Sequence, residues 1–234
     1  MTFAIAARCA ASGRFGVAIS TRALGVTARC PFIAPGVGVV VTMARTDPRL
    51  GPLGVNLLKL GYSAQRALDE IAASDPHIEW RQLCVIDRDG NAVARTGTSN
   101  KVWSGAITAK NLGAMGNNLK SEKTAGDMAA AWHSGSKLPF AERLLVALEA
   151  GRDAGGQNGG QNSAGLVIYD REIYPYVDLR VDAHAEPVAE LRRVFELYNP
   201  LTDYYYGRPG DPEAYGREEE WLARQGKTSP IIDK

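Results

Sequence analysis

The feature that most constrains this chain is that it opens inside a sheet. Thr2 to Arg8 (TFAIAAR) is apolar and β-capable, Ala11-Ser12-Gly13-Arg14 reads as a turn, and Phe15 to Thr21 (FGVAIST) reads as a second strand. Two strand-like runs joined by a short Gly-containing turn predict a hairpin. Chain termini usually fray unless something ties them down. A chain that begins in a strand therefore holds its first residues in a defined place.

The rest of the pattern builds around that hairpin. Ala34-Pro35-Gly36 breaks the chain, and Val37 to Met43 (VGVVVTM) predicts a third strand, apolar enough to be buried on both faces. Leu53 to Leu60 predicts a helix, and Ser63 is a suitable N-cap for another over Ala64 to Ala73. Gln82 to Asp87 and Ala92 to Thr96 flank an Asp-Gly turn, a strong hairpin signal. Ile107 to Met115 reads as one strand, followed by helices over Thr124 to His133 and Pro139 to Ala154. Gly155 to Asn162 is the tandem repeat GGQNGGQN, a flexible loop by composition. Ser163 to Tyr169 and Tyr174 to Val181 predict strands, and Pro187 starts a helix running to about Tyr198. Hairpins alternating with clustered helices indicate an α+β protein, and two sheets between two helical layers use every element. Residues 200–234 turn to Tyr, Gly, Pro and charge, and read as a tail.

Composition removes several function classes. Lys plus Arg is 27 and Asp plus Glu is 26, a balance that argues against nucleic acid or an anionic membrane as the main partner. The longest apolar stretch, Val37 to Met43, falls far short of the ~20 residues that span a bilayer. Cys9, Cys30 and Cys84 are odd in number and widely spaced, which suits free thiols in a reducing compartment. With no signal-peptide pattern at the N-terminus, the expected location is cytoplasmic. His77, His133 and His184 lie far apart, none beside another ligand at metal spacing. No metal or other cofactor is expected.

Chemistry is sought first at Thr2. Met1 is removed when the next residue is small, and Thr qualifies. The product carries a free α-amine and a hydroxyl on one residue. With an ordinary pKa of about 7.7–8.0 the amine is partly neutral near pH 7. It can then take the proton of its own hydroxyl, an activated nucleophile that needs neither His nor metal. The second strand ends in Ser20-Thr21-Arg22 and the third in Thr42, ends that a sheet can bring beside Thr2. Gly116-Asn117 follows a strand and can supply a backbone N–H and a side-chain amide to a developing oxyanion. The plain alternative for Gly and Asn there is turn chemistry.

The segments MTFAIAARCAASGRFGVAISTRALGV, GVGVVVTMARTDPRLGPLGVNLL, AMGNNL, AERLLVALEAG, QNSAGLVIYD and VDLRVDAHAEPVAELRRVFEL together resemble the family catalogued as domain of unknown function 1028, assigned to the Ntn-hydrolase superfamily. The resemblance covers about residues 1 to 199. It implies an αββα four-layer sandwich and matches Thr2 to the N-terminal nucleophile. Gly116 and Asn117 match the family's Gly-Asn, and Ser20, Thr42, Ser163, Asp178 and Arg180 fall in motif segments as pocket candidates. Ala4 and Met43 depart from the Ser and Gln expected there.

The expected function is an amidohydrolase acting on a small amide. Arg22, Arg45 and Arg49 suggest a carboxylate-bearing substrate, against the plain alternative of a solvated surface. One competing reading is a non-catalytic binding or structural protein on the same fold. Another is a hydrolase using Ser20, Ser163 or a cysteine. Tyr204-Tyr205-Tyr206 and Trp221 in the tail suggest an arm packed across a homodimer or higher homo-oligomer, or one folded back on its own domain.

Overall fold

In the first strand, β1 (Thr2–Arg8), residues Phe3, Ile5 and Ala7 and residues Ala4 and Ala6 are all fully buried. Side chains alternate between the faces of a strand, so β1 must be covered on both faces. The computed structural model describes residues 1–229 and shows how this is done.

β1 lies within a six-stranded antiparallel sheet. It pairs with β2 (Phe15–Thr21) on one side and β8 (Leu112–Asn117) on the other. Beyond β2 come β9 (Ser163–Tyr169) and β10 (Val177–Val181), and beyond β8 comes β7 (Gly105–Ala109). A second antiparallel sheet runs in the order β3 (Pro31–Ala34), β4 (Gly38–Met43), β5 (Gln82–Asp87), β6 (Ala92–Thr96).

Three apolar layers hold the sheets and helices together. Between the sheets, Ala4, Ala6, Phe15, Val17, Ile19 and Met115 meet Val39, Val41, Met43, Cys84 and Ile86. On the outer face of the larger sheet, Phe3, Ile5 and Leu112 pack against α3 (Lys123–Ser134), α4 (Phe140–Asp153) and α5 (Pro187–Tyr198). On the outer face of the smaller sheet, Val40, Leu83 and Val85 pack against α1 (Leu50–Lys59) and α2 (Ala64–Ser74). The result is the expected α+β sandwich, helices–sheet–sheet–helices. Local chemistry agrees: Ser63 accepts from the Arg66 N–H to cap α2, and Asp87 accepts from the Ala64 N–H while closing the Asp-Gly turn.

Three elements differ from expectation. The single strand expected over Ile107 to Met115 is a hairpin, β7 and β8, turned at Lys110-Asn111 with Asn111 at φ 65°. Asn tolerates that left-handed backbone, and no Gly or Pro marks the turn. The short strand β3 was not anticipated. The tail forms α6 (Thr202–Gly207), α7 (Pro212–Tyr215) and α8 (Glu218–Arg224). Its aromatic residues are engaged within the chain. Leu201, Tyr204 and Leu222 bury one another beneath Tyr205, Tyr215 and Trp221. The Tyr206 hydroxyl accepts from the backbone N–H groups of Arg171 and Glu172, both at 3.0 Å. Residues 230–234 of the expected tail lie outside the described residues. Among the described residues no helix is long and apolar enough to cross a membrane.

At Gly113 the larger sheet passes close against the smaller one, where an added Cβ would sit 2.4 Å from the Cys84 sulfur. Gly113→Ala is expected to destabilise the fold by about 1–3 kcal/mol through overpacking. Adding Cys84→Ala, which removes the clashing sulfur, should recover part of that loss. Urea unfolding of the single and double variants measures both effects.

Candidate active site

Thr2 is the first residue of a central strand. It stands opposite Thr21 on one side and Asn117 on the other. Even-numbered residues of β1 face the smaller sheet, and Thr2 follows that parity. Its side chain points between the sheets at their open end and is almost fully buried. Thr2 Oγ1 lies 2.9 Å from Thr21 Oγ1, and the Thr21 hydroxyl donates to the Met1 carbonyl at 2.5 Å. A hydroxyl has one proton. Thr21 commits its proton to Met1, so Thr2 is the donor within the threonine pair.

A cleft of about 570 Å³ opens at this point. Met1, Thr2, Thr21, Arg22 and Ala23 form one side, Val26, Arg29 and Cys30 extend it, and Ala44, Arg45 and Thr46 form the other. Burial holds the α-amine of Met1 below its ordinary value. A smaller adjoining cleft of about 220 Å³ shares Met1, Ala44 and Arg45 and adds Trp80 and Asn117.

The structure sorts the residues expected from sequence. Thr2 and Arg22 line the cleft. Asn117 sits opposite Thr2 in register and lines the adjoining cleft. Gly116 lies one residue back, on the helix-facing side, where an added Cβ would meet Leu119 at 2.6 Å. Ser20 and Thr42 are corrections. Ser20 donates to the Ser163 carbonyl and Thr42 to the Asp47 carbonyl, and neither lines the cleft. The cause is strand parity, because Thr21 and Met43 take the face between the sheets. Arg49 is also outside the cleft. It closes on Asp47 with Nε at 2.9 Å and Nη2 at 2.6 Å, while Arg45 and Arg29 stand where it was expected. Ser163 is buried and donates to the Ala23 carbonyl at 2.7 Å, supporting the wall without lining it. Asp178 and Arg180 belong to a separate cleft between β9, β10, β3 and α1.

Gln82 was missed. It is fully buried on β5, and its side chain ties the two sheets together behind Asn117. Its amide oxygen accepts from Asn117 Nδ2 at 3.1 Å, and its amide nitrogen donates to the carbonyls of Gly116 at 2.8 Å and Gly105 at 3.1 Å. The only sequence signal for this role was a polar residue opening an otherwise apolar strand. Arg81 was missed as well. It donates to the Arg45 carbonyl and pairs with Asp75 at 2.8 Å. This anchors a loop in which Ala44 and Arg45 take φ of 55° and 39°. Left-handed backbone costs a non-Gly residue about 1–2 kcal/mol, and such strain persists where surrounding contacts over-determine it.

The GGQN repeat is held in place rather than loose. Asn158 bonds the Asn118 and Leu119 carbonyls, and Asn162 bonds the Thr21 and Arg22 carbonyls. Its glycines at 155, 156, 159 and 160 all have positive φ, a conformation glycine adopts without steric cost. The loop thus ties the end of β8 to the end of β2, on either side of Thr2.

Burial pushes the Cys30 thiol up to about 11 and Cys84 to about 12, so both stay protonated near neutral pH and are poor nucleophiles. The hydroxyl protons of Ser20 and Ser163 are committed to carbonyls and neither residue lines the cleft, whereas Thr2 does. Among the described residues no three His, Cys, Asp or Glu side chains converge as metal ligands.

The fold and site define a two-sheet α+β sandwich with a buried threonine where its central strand meets the cleft. The chain belongs to the family of unknown function DUF1028, whose model matches residues 2–191. A crystal structure of a Silicibacter pomeroyi protein of that family is 29% identical over 85% of this chain and 89% of its own, with a TM-score of 0.78. The Anbu (ancestral beta-subunit) structure from Yersinia bercovieri is 12% identical over 87% of this chain and 96% of its own. Its TM-score is 0.40, a likeness that supports no conclusion. No curated protein matches the chain.

Two outcomes follow for the site's frame. Gln82→Leu leaves the Asn117 amide and the Gly116 carbonyl without their buried partner, so a loss of about 1–3 kcal/mol is expected in denaturant unfolding. The Arg49 hydrogen bonds, with Arg81 nearby, hold the Asp47 carboxyl down at about 2. A depressed acid contributes stability above its unfolded value and loses it as pH falls through the folded one. Stability should therefore decline between about pH 4 and pH 2, and Asp47→Asn should flatten the decline in that window.

Proposed function

We propose that this protein is an amidohydrolase of the N-terminal nucleophile type, with Thr2 as nucleophile once Met1 is removed. The observation that carries the reading is the Thr2 hydroxyl: one residue from the chain terminus, fixed by strand pairing on both sides, and directed into a cleft. The family's resemblance to Ntn-hydrolases supports it.

After Met1 leaves, the α-amine belongs to Thr2 itself. In its neutral form it takes the hydroxyl proton, directly or through a water, as Oγ1 attacks the amide carbon. The carbonyl oxygen becomes an oxyanion. One Asn117 Nδ2 hydrogen is committed to Gln82, and the second is left to stabilise that charge. Collapse breaks the C–N bond, and the leaving amine takes the proton from the α-ammonium. Water then attacks the Thr2 ester, releasing the acid and restoring the hydroxyl. An α-amine with an ordinary pKa of about 7.7–8.0 is partly neutral near pH 7, which is what a general base requires.

A second reading is favoured by the Met1 carbonyl, which accepts from Thr21 while Met1 lines both clefts. A protein that retains Met1 is a binding protein with a capped cleft.

Intact mass of the tag-free protein, before and after exposure to a threonine-reactive acylating probe, separates the two. The expected result is loss of Met1 and one adduct mapped to Thr2. Thr2→Ala should abolish the adduct and lower any amidase turnover roughly a thousandfold or more, while Thr2→Ser retains both. Retained Met1 with no adduct establishes the binding reading instead.

A further inference from the structure

The charge around the cleft is one-sided. Its lining includes Arg22, Arg29 and Arg45 and no Asp or Glu. The protein as a whole carries a formal net charge of only +1, so this is a local arrangement. Of the carboxylates nearby, Asp47 is engaged by Arg49 and Asp75 by Arg81. Among the described residues Arg22, Arg29 and Arg45 have no carboxylate partner. Arg29 donates to the Leu24 carbonyl at 2.7 Å, and Arg45 lies 4.7 Å over the Trp80 ring. Neither contact neutralises charge.

The three guanidinium groups come from opposite walls. Arg22 follows β2 and Arg29 follows the helical turn Val26–Ala28, both on the larger sheet's side. Arg45 follows β4, in the smaller sheet. Both walls are held in position. Asn162 bonds the Arg22 carbonyl at 2.9 Å, and the Arg22 guanidinium lies beside Gly159. The Arg45 backbone is pinned in its left-handed conformation by Arg81. A guanidinium offers a planar fork of donors that matches a carboxylate. Two such walls, with Thr2 between the sheets at their end, fit a ligand bearing an anionic group toward each side.

We propose that the cleft takes an amide bearing two carboxylates, such as an N-acylated acidic amino acid, with one carboxylate held by Arg22 and Arg29 and the other by Arg45. This rests on the reading of Thr2 as nucleophile, since that reading makes the ligand a substrate. Arg45, not Arg49, is the specificity-determining cation of the second wall.

The test is calorimetric binding to the full-length Thr2→Ala protein, which cannot acylate and so separates recognition from chemistry. The probes are N-acetylglutamate, N-acetylglutamine and N-acetylglutamine amide, near-isosteric ligands of charge −2, −1 and 0. Each lost charge should weaken binding by about tenfold. Arg22→Gln and Arg45→Gln should each weaken the dianion by about tenfold and leave the neutral probe unchanged, whereas Arg49→Gln should leave all three unchanged. Equal binding of the three probes, no saturable binding by any, or full dianion affinity in both cleft variants overturns the proposal. Absence of a Thr2 adduct in the wild-type protein, with the charge series intact, overturns only the catalytic reading and leaves an anion-binding cleft.

Discussion

Everything at the candidate site depends on β1 being hydrogen-bonded on both sides from its first residue. A terminal strand at a sheet edge would fray over its first residues. Here Thr2 is opposite Thr21 and Asn117, and the next residue, Phe3, is fully buried against the α3–α4 layer. The backbone of Thr2 is therefore fixed by a ladder on each side and by an apolar anchor immediately after it. A reactive group needs that kind of rigid support to be positioned to within a fraction of an ångström. The small residues Ala4 and Ala6 and Gly113 leave β1 and β8 close to the facing sheet. The open space lies at the Thr2 end.

The polar groups around Thr2 extend that rigidity outward. Gln82 reaches from the smaller sheet to Asn117 and Gly116 in the larger one, so the two sheets share a buried polar network where the apolar layer ends. Buried polar networks of this kind fix one arrangement because any slip leaves a donor or acceptor without a partner. Arg81 does the same for the loop after β4, and the GGQN segment for the ends of β2 and β8. The cleft is lined by loops, yet each loop is tied to the sandwich by bonds to its backbone carbonyls.

Much of the frame was legible in the sequence, and the reasons for success and failure are physical. The opening hairpin, the Asp-Gly turn and the Ser63 cap follow from local propensity, and local propensity is written in adjacent residues. Thr2 and Arg22 line the larger cleft and Asn117 the adjoining one because each sits at or next to a strand end. Ser20 and Thr42 were misplaced by the same reasoning, since a strand end carries two faces and only the register decides which one points inward. Gln82 was invisible because its partners in the larger sheet are 23 to 35 residues away. The hairpin at Lys110-Asn111 hid because Asn, not Gly, supplies the positive φ. Composition predicts a flexible GGQN segment, but its asparagines have specific backbone acceptors that composition does not reveal.

Under the proposed N-terminal nucleophile reading, the relation of Met1 to Thr21 couples processing to chemistry. With Met1 in place, the Thr21 proton is committed to the Met1 carbonyl and Thr2 donates to Thr21. The Thr2 proton therefore points at a neutral hydroxyl, not at a base. Removing Met1 deletes that carbonyl and at the same step creates an amine on Thr2, so Thr21 loses its acceptor when a new one appears within the pair. The Thr21 hydroxyl can then donate to Thr2 Oγ1 or to the amine, reversing the direction of the hydrogen bond. On the proposed reading, the same two threonines form a closed pair while Met1 is present and part of a proton path once it is removed.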